Sequence, residues 1–417
     1  MVLLDTLDEA LALRSRIAEG LSVRRVDGPS GDWVMRDGAL VNVAADYFRV
    51  IGRRTPEGER LLFRQPEPAL VALMVSGPPG ERRVLLNARA EPGLDGFCQF
   101  STTVQSTPAN YERRHGGRET PFIDTALGTG DGGAGDGAAD GVARVLHDSM
   151  QYDWGQYYHL KTKRFRIVEL PEHVAAPAPL AWMAADVLDE MLVRPQLVTT
   201  DLRAAAAVLA AVEAACVAGA EAAPAAPALP ASTFPRPANA DVFAGIPLEE
   251  GRSWSIHPRG ISALDGSREI VWVQTSATSR EVDTWVQPLM AVGETLRTRL
   301  AMRPGADEAE VAVVAQTRDG LDGRYLWYPA EPVGGRVTRS VEASAEGGRF
   351  LVHRIELELI AGAEAPGATW LPLSVVESLA LAPLATSVEL RMLAGLARLE
   401  GLARLEGGSR LETEARP

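Results

Sequence analysis

Cysteine is nearly absent. The chain holds two, Cys98 and Cys216, far apart and in unlike surroundings. That excludes a disulfide framework and any regularly spaced thiolate metal site, and it fits a reducing cytoplasm. Positive charge is also short: the formal net charge is −13 over 417 residues, the wrong sign for a nucleic-acid partner. Long hydrophobic runs are missing. The first apolar stretch, MVLLDTLDEALALRSRIAEGL, carries Asp5, Asp8 and Glu9, so it does not read as a signal peptide. The Ala-rich run over 204–220 is broken by Glu213 and too weakly apolar to span a bilayer. What remains, 46% hydrophobic and 23% charged, suits an ordinary globular chain with two substantial cores.

The chain also holds one pattern twice. Gln65-Pro66 opens the apolar run ALVALMV, and Gln287-Pro288 opens LMAV. Trp182 precedes Asp201-Leu202-Arg203, and Trp370 precedes Glu389-Leu390-Arg391; the Trp-to-Arg interval is 21 residues in both. Trp33 and Trp254 precede their Gln-Pro pairs by 32 and 33 residues. Three agreements in one order indicate internal duplication. The copies differ between Gln-Pro and the second Trp, 117 residues against 83, and the surplus falls in the most polar stretch of the first copy.

Residues 1–217 therefore read as a first repeat, 218–240 as an Ala/Pro tether, and 241–417 as a second, diverged repeat. The Gly/Asp-rich stretch 128–141 reads as a loop rather than a calcium-binding repeat. FRVIG, LVALMV, RRVLLNARA and FRIVEL read as strands, and the segments after each second Trp as helices. Strand runs with segregated helices imply an α+β layered fold. The closing GLARLEGLARLEGG has helical Leu spacing.

Residues 87–117, NARAEPGLDGFCQFSTTVQSTPANYERRHGG, bring together an acid, amides, Tyr111, two arginines and His115. A second polar group follows at Gln151-Tyr152-Asp153-Trp154-Gly155, leading into the basic strand after Lys161. Each piece has a plain alternative: Glu91-Pro92-Gly93 as a hairpin turn, Thr-Thr-Val-Gln as a solvent-facing strand, His115 as a surface residue. Together they suit an anionic, hydroxyl-rich ligand and proton transfer.

These strings resemble the NDP-hexose 2,3-dehydratase family. The resemblance rests on Gln65-Pro66, Glu91-Pro92-Gly93, Ser101-Thr102-Thr103-Val104-Gln105, Asn110-Tyr111, His115-Gly116-Gly117 and Gln151-Tyr152-Asp153-Trp154-Gly155. It is echoed in the second copy by Arg280-Glu281-Val282, Trp285, Gln287-Pro288 and Glu346-Gly347-Gly348-Arg349-Phe350. The chain departs from the family at Asn87, Asp153 and Trp154, and the second copy lacks the acidic-Pro-Gly and Thr-Val-Gln elements.

The resemblance implies two Nudix-like α/β/α sandwich domains, an NDP-4-keto-6-deoxyhexose substrate, a homodimer, a downstream 3-ketoreductase, and no cofactor or metal. It places catalysis in the first copy: Glu91 or His115 as base and Tyr111 as acid or enolate donor. Gln105 and Asn110 orient the sugar, Lys163 and Arg164 meet the diphosphate, and Asn87, Thr103, Gln151, Asp153 and Trp154 shape the pocket. A metal-dependent Nudix hydrolase is disfavoured because its Gly-x₅-Glu-x₇-Arg-Glu-x-x-Glu-Glu helix is missing from the sequence. The departures leave a second reading, an altered paralogue that binds a nucleotide sugar, or serves as a partner, without dehydrating it.

Overall fold

The computed structural model describes residues 2–414 except 30, 115, 129–142, 218–243 and 352, with side chains as far as residue 401. The tether read at 218–240, nearly all of the Gly/Asp stretch, and His115 lie outside the described residues.

Strand Ala69–Ser76 shows why the chain folds in layers. All eight of its residues are buried, so the run ALVALMVS must be covered on both faces. It pairs antiparallel with Arg83–Ala90 and parallel with Thr162–Leu170. Leu180–Ala184 and Arg144–Tyr152 extend the sheet on either side. The second half repeats this order. Leu296–Pro304 pairs antiparallel with Ala309–Gln316 and parallel with Arg354–Ala361, flanked by Thr369–Pro372 and Arg336–Ser344. A register shift falls at Val145/His147 in one outer strand and at Val337/Arg339 in the other. Trp182 and Trp370 sit in corresponding strands, paired with Leu85 and Ala312. The architecture is mixed α and β, as the ordering of the sequence elements implied.

Two helices follow each of these sheets: Ala185–Leu192 and Thr200–Val217, then Leu373–Leu381 and Val388–Glu414. The Ala-rich helix is buried along most of its length, which explains a composition too apolar for a surface helix and too weak for a membrane span. It lies against the last helix so closely that a Cβ on Gly395 would stand 3.0 Å from the Cβ of Ala207. Small side chains permit that approach. No helix among the described residues is long and apolar enough to cross a membrane.

The halves are joined by exchanged strands. Leu21–Arg25 adds to Arg268–Ala277, and Gly245–Ile246 adds to Arg49–Thr55. Two turns also dock reciprocally. Gly93 N donates to Gly347 O at 3.0 Å, and Gly320 N donates to Gly155 O at 2.7 Å. A Cβ on Gly93 would lie 1.5 Å from Phe350 O, and one on Gly320 1.8 Å from Tyr158 O, so only glycine fits either turn. Arg203 and Arg391, at matching points of the two copies, differ here. Arg203 donates to the carbonyls of Leu192 and Arg194, whereas Arg391 spans the junction, reaching Thr386 O at 2.6 Å and Tyr152 O at 2.9 Å.

Aromatic side chains from both halves fill the junction. Phe63 lies 6.0 Å from Phe350, and Tyr157 5.2 Å from Phe350 and 4.9 Å from the ring of His353. His353 is 1% exposed, its Nε2 3.1 Å from Tyr157 Oη. Burial, with Arg268 nearby, pushes its pKa down to about 4 from 6.5. The unfolded chain therefore binds a proton there that the folded chain refuses, so this contribution to stability is present above pH 6.5 and is lost as pH falls toward 4. Thermal unfolding should show Tm dropping across that window, and His353→Gln should flatten the drop by on the order of 1 kcal/mol per pH unit. An unchanged slope in the variant would show that other groups control acid stability.

Candidate functional site

A cavity of about 650 Å³ opens on the seam between the two halves, lined by residues of both. Its side chains fall into three chemical groups.

The first is a clamp around Glu91. Strand Arg83–Ala90 and the turn docked by Gly93 carry Arg89 and Glu91 into the seam. Arg89 Nε lies 2.6 Å and Arg280 Nη1 3.1 Å from the same oxygen, Glu91 Oε1. Arg280 also reaches Glu281 Oε2 at 3.1 Å and Ala90 O at 3.1 Å. Burial raises the pKa of the Glu91 carboxyl, but Arg89 and Arg280 outweigh it and hold the group below its ordinary value. Glu281 is treated alike and falls to about 2. Both acids are carboxylates at neutral pH.

The second group is a buried charge cluster. Strand Thr162–Leu170 turns Lys163 inward, and helix Thr200–Val217 offers Asp201 from its first turn. Lys163 Nζ contacts Asp201 Oδ1 at 2.7 Å, Asp153 Oδ2 at 2.9 Å and Glu346 Oε2 at 3.5 Å. Lys161 Nζ contacts Glu346 Oε2 at 2.6 Å and Asp153 Oδ2 at 2.9 Å. Burial opposes charge on Lys163, yet Asp153, Asp201 and Glu346 override it and hold the ammonium well above its ordinary pKa. Lys163, Asp201 and Glu346 line the cavity.

The third group combines aromatic rings with a cation. Trp33, Tyr47, Phe48 and Trp285 line the cavity. Arg349 stacks 4.1 Å from the Phe48 ring centroid and donates to Gly348 O at 2.8 Å and Gln65 Oε1 at 3.4 Å. Its Nε is buried without a hydrogen-bond partner, and its charge helps to hold the Glu346 carboxyl below its ordinary pKa. A guanidinium so placed suits a planar oxyanion beside a stacked ring.

Of the residues singled out from sequence, the cavity gathers Glu91, Gln105, Asn110 and Lys163. Gln105 Oε1 accepts from Ser101 Oγ. The other described ones are placed elsewhere. Asp153 sits behind Lys163 in the charge cluster, and Trp154 is 1% exposed in the core. Thr103 Oγ1 bridges strands, accepting from Met74 N and donating to Leu85 O. Asn87 lies in the sheet opposite Leu180 and Ser101. Gln151 Nε2 holds the carbonyls of Ala380 and Ala382 across the junction. Arg164 is bound by Asp148 at 2.8 and 2.6 Å, on the strand face opposite Lys163. Tyr111 packs, half-buried, against the apolar group around Leu70 and Trp182.

Sequence reading also passed over lining residues. Arg280, Glu281, Trp285, Gln287, Glu346 and Arg349 all belong to the second-copy strings that echoed the family, yet that copy was set aside as inactive. The echo was the available signal. Asp201 served only as a landmark for the repeat.

Comparison with known proteins fits this geometry. Residues 13–210 match the family model described as NDP-hexose 2,3-dehydratase. It is 26% identical over 290 residues to a dTDP-4-dehydro-6-deoxy-alpha-D-glucopyranose 2,3-dehydratase of Saccharopolyspora spinosa, covering 65% of this chain and 57% of that one. Its similarity to the enzyme of the same description from Streptomyces violaceoruber is 29% over 276 residues, 64% of this chain and 59% of the relative. A third, from Amycolatopsis orientalis, is 24% identical over 381 residues, 84% and 74% of the two chains. The chain thus spans less than two thirds of the length of the first two relatives.

Arg349 gives a direct check. Arg349→Met should weaken binding of a nucleoside diphosphate at least about tenfold, the scale of one charge-assisted bidentate contact. Calorimetric titration reads the change. Equal affinity in the variant would remove Arg349 from the ligand.

Proposed function

We propose that this chain is a nucleotide-sugar 2,3-dehydratase acting on an NDP-4-keto-6-deoxyhexose. The observation that carries the reading is the seam cavity, where an ionised carboxylate and a buried ammonium–carboxylate pair share one space with aromatic rings and the Arg349 guanidinium. The names of the relatives supply the substrate class. The same reading takes the two halves as duplicated Nudix-like layers, spanning about 1–217 and 241–417 in sequence, and pairs two chains as a homodimer.

The chemistry needs few parts. The carbonyl at carbon 4 acidifies the hydrogen on carbon 3. Glu91 takes that proton through Oε2, since both arginines occupy Oε1. Lys163, held charged, stabilises negative charge in the enolate, an effect worth about 10²–10³-fold when donors are fixed in advance. The hydroxyl on carbon 2 then leaves, and the enol left behind becomes a 2-deoxy-3,4-diketo sugar. Oxidation at carbon 3 balances reduction at carbon 2. Gln105 and Asn110 orient sugar hydroxyls, and Arg349 replaces Arg164 as the diphosphate contact, because Arg164 is committed to Asp148. The reactive diketo product passes to a 3-ketoreductase.

Supplying the chain with dTDP-4-keto-6-deoxyglucose, a 3-ketoreductase and reduced nicotinamide should yield a 2-deoxy sugar nucleotide, identified by mass loss of one water. Glu91→Gln should slow turnover at least about tenfold, the low end for lost proton transfer, with substrate affinity held within a few-fold. Tight binding of the sugar nucleotide by the unaltered chain with no loss of water would favour the binding-only paralogue instead.

A further inference from the structure

Dehydration needs an acid as well as a base, because hydroxide is a poor leaving group. The cavity shows which group is built for that task. The buried cluster holds two ammonium groups, Lys161 and Lys163, and three carboxyls, Asp153, Asp201 and Glu346. Within ion-pair distance the carboxyls therefore outnumber the ammonium groups by one, with Arg349 and Arg391 acting only from farther off, and an undercompensated buried charge is costly, so a proton is most at home on one of the three. Their contacts separate them. Asp153 Oδ2 touches both ammonium groups and accepts nothing from the cavity side, since Asp153 does not line it. Glu346 Oε2 is fixed by Lys161 at 2.6 Å and by the Tyr158 hydroxyl at 3.1 Å. Asp201 touches one ammonium group only, Lys163, and lines the cavity.

Resting on the dehydratase reading, we propose that Asp201 is the acid that delivers a proton to the departing carbon-2 hydroxyl, with Lys163 as the residue that positions it. The step balances. The carbon-3 hydrogen leaves as a proton to Glu91, and its electron pair forms the enolate. The enolate pair reforms the carbon-4 carbonyl and makes the carbon-2–carbon-3 double bond as the carbon-2–oxygen bond breaks. Asp201 gives its proton to that oxygen and water departs. The proton gained by Glu91 balances the one lost by Asp201, and the enol then exchanges its hydroxyl proton for one on carbon 2.

The surroundings agree with this role. Burial raises the pKa of Asp201 and Lys163 opposes it, while Asp153 and Glu346 raise it further; the net direction is upward. Asp153 and Glu346 are instead held below their ordinary values. Arg391 also faces Asp201; burial lowers its pKa to about 10, against the pull of Asp153, Glu389 and Asp201. Asp201 sits in the first turn of an eighteen-residue helix capped by Thr199, whose Oγ1 accepts from Leu202 N at 3.2 Å. Its backbone is therefore fixed relative to the cavity.

Fluoride leaves carbon 2 as an anion without a proton, so a 2-deoxy-2-fluoro analogue of the 4-keto nucleotide sugar separates acid from base. Asp201→Asn should lose about 10²-fold or more in turnover on the hydroxyl substrate but less than about fivefold on the fluoro analogue, since only the former needs the acid. Glu91→Gln should lose on both. Equal losses on both substrates for Asp201→Asn, or no loss on either, would overturn the assignment. Should the Asn variant fail to fold, the unaltered chain gives the same test: the ratio of fluoro to hydroxyl turnover should rise with pH as Asp201 loses its proton. A flat ratio would contradict the proposal. Failure of the unaltered chain on both substrates would sink the dehydratase reading, and this role for Asp201 with it.

Discussion

The contact on which the rest depends is the buried charge cluster that ties Lys161 and Lys163 of the first half to Glu346 of the second. Lys161 and Glu346 stand 185 residues apart in sequence and 2.6 Å apart in space. Burying such groups costs several kcal/mol per ion, and the attraction between them offsets that only while every partner is present. Removing one member leaves an uncompensated charge and costs about 3–5 kcal/mol. The halves cannot slide or separate without exposing this cluster to that penalty, so it fixes their register. The glycine turns at Gly93 and Gly320 add steric precision, since each tolerates no Cβ against the opposing carbonyl.

Fixing the register also builds the cavity. Glu91 comes from a first-half turn and Arg280 from a second-half hairpin, yet they share one hydrogen bond. Lys163 and Asp201 come from one half and Glu346 from the other. Stability and chemistry therefore draw on the same groups. The excess carboxyl that makes the cluster electrostatically uneasy is the feature that leaves a proton available to it.

Much of the fold was legible in the sequence. The apolar run of residues 69–75 announced a strand, and the paired Trp-to-Arg spacing located corresponding strands and helices. Part of the site was legible too: the density of polar residues over 87–117 flagged Glu91, Gln105 and Asn110. Lys163 and Arg164, read together as diphosphate contacts, face opposite ways. A strand alternates its faces. Lys161 and Lys163 turn inward to Asp153 and Glu346, while Arg164 and Arg166 turn the other way to Asp148. The seam itself was not legible, because it is made of contacts between distant segments that no local pattern encodes. The missing acidic-Pro-Gly element in the second copy was read as loss of function there, whereas that copy contributes Arg280, Glu281, Glu346 and Arg349 to the shared cavity.

The central claim is that one site is assembled from both halves, and a crystal structure with thymidine diphosphate bound tests it most directly. The account predicts a diphosphate against Arg349 with the base among Trp33, Tyr47, Phe48 and Trp285, and the end that carries the sugar directed toward Glu91 and Asp201. A nucleotide held by first-half residues alone, or bound in the separate cavity beside Arg60 and Arg318, would contradict it.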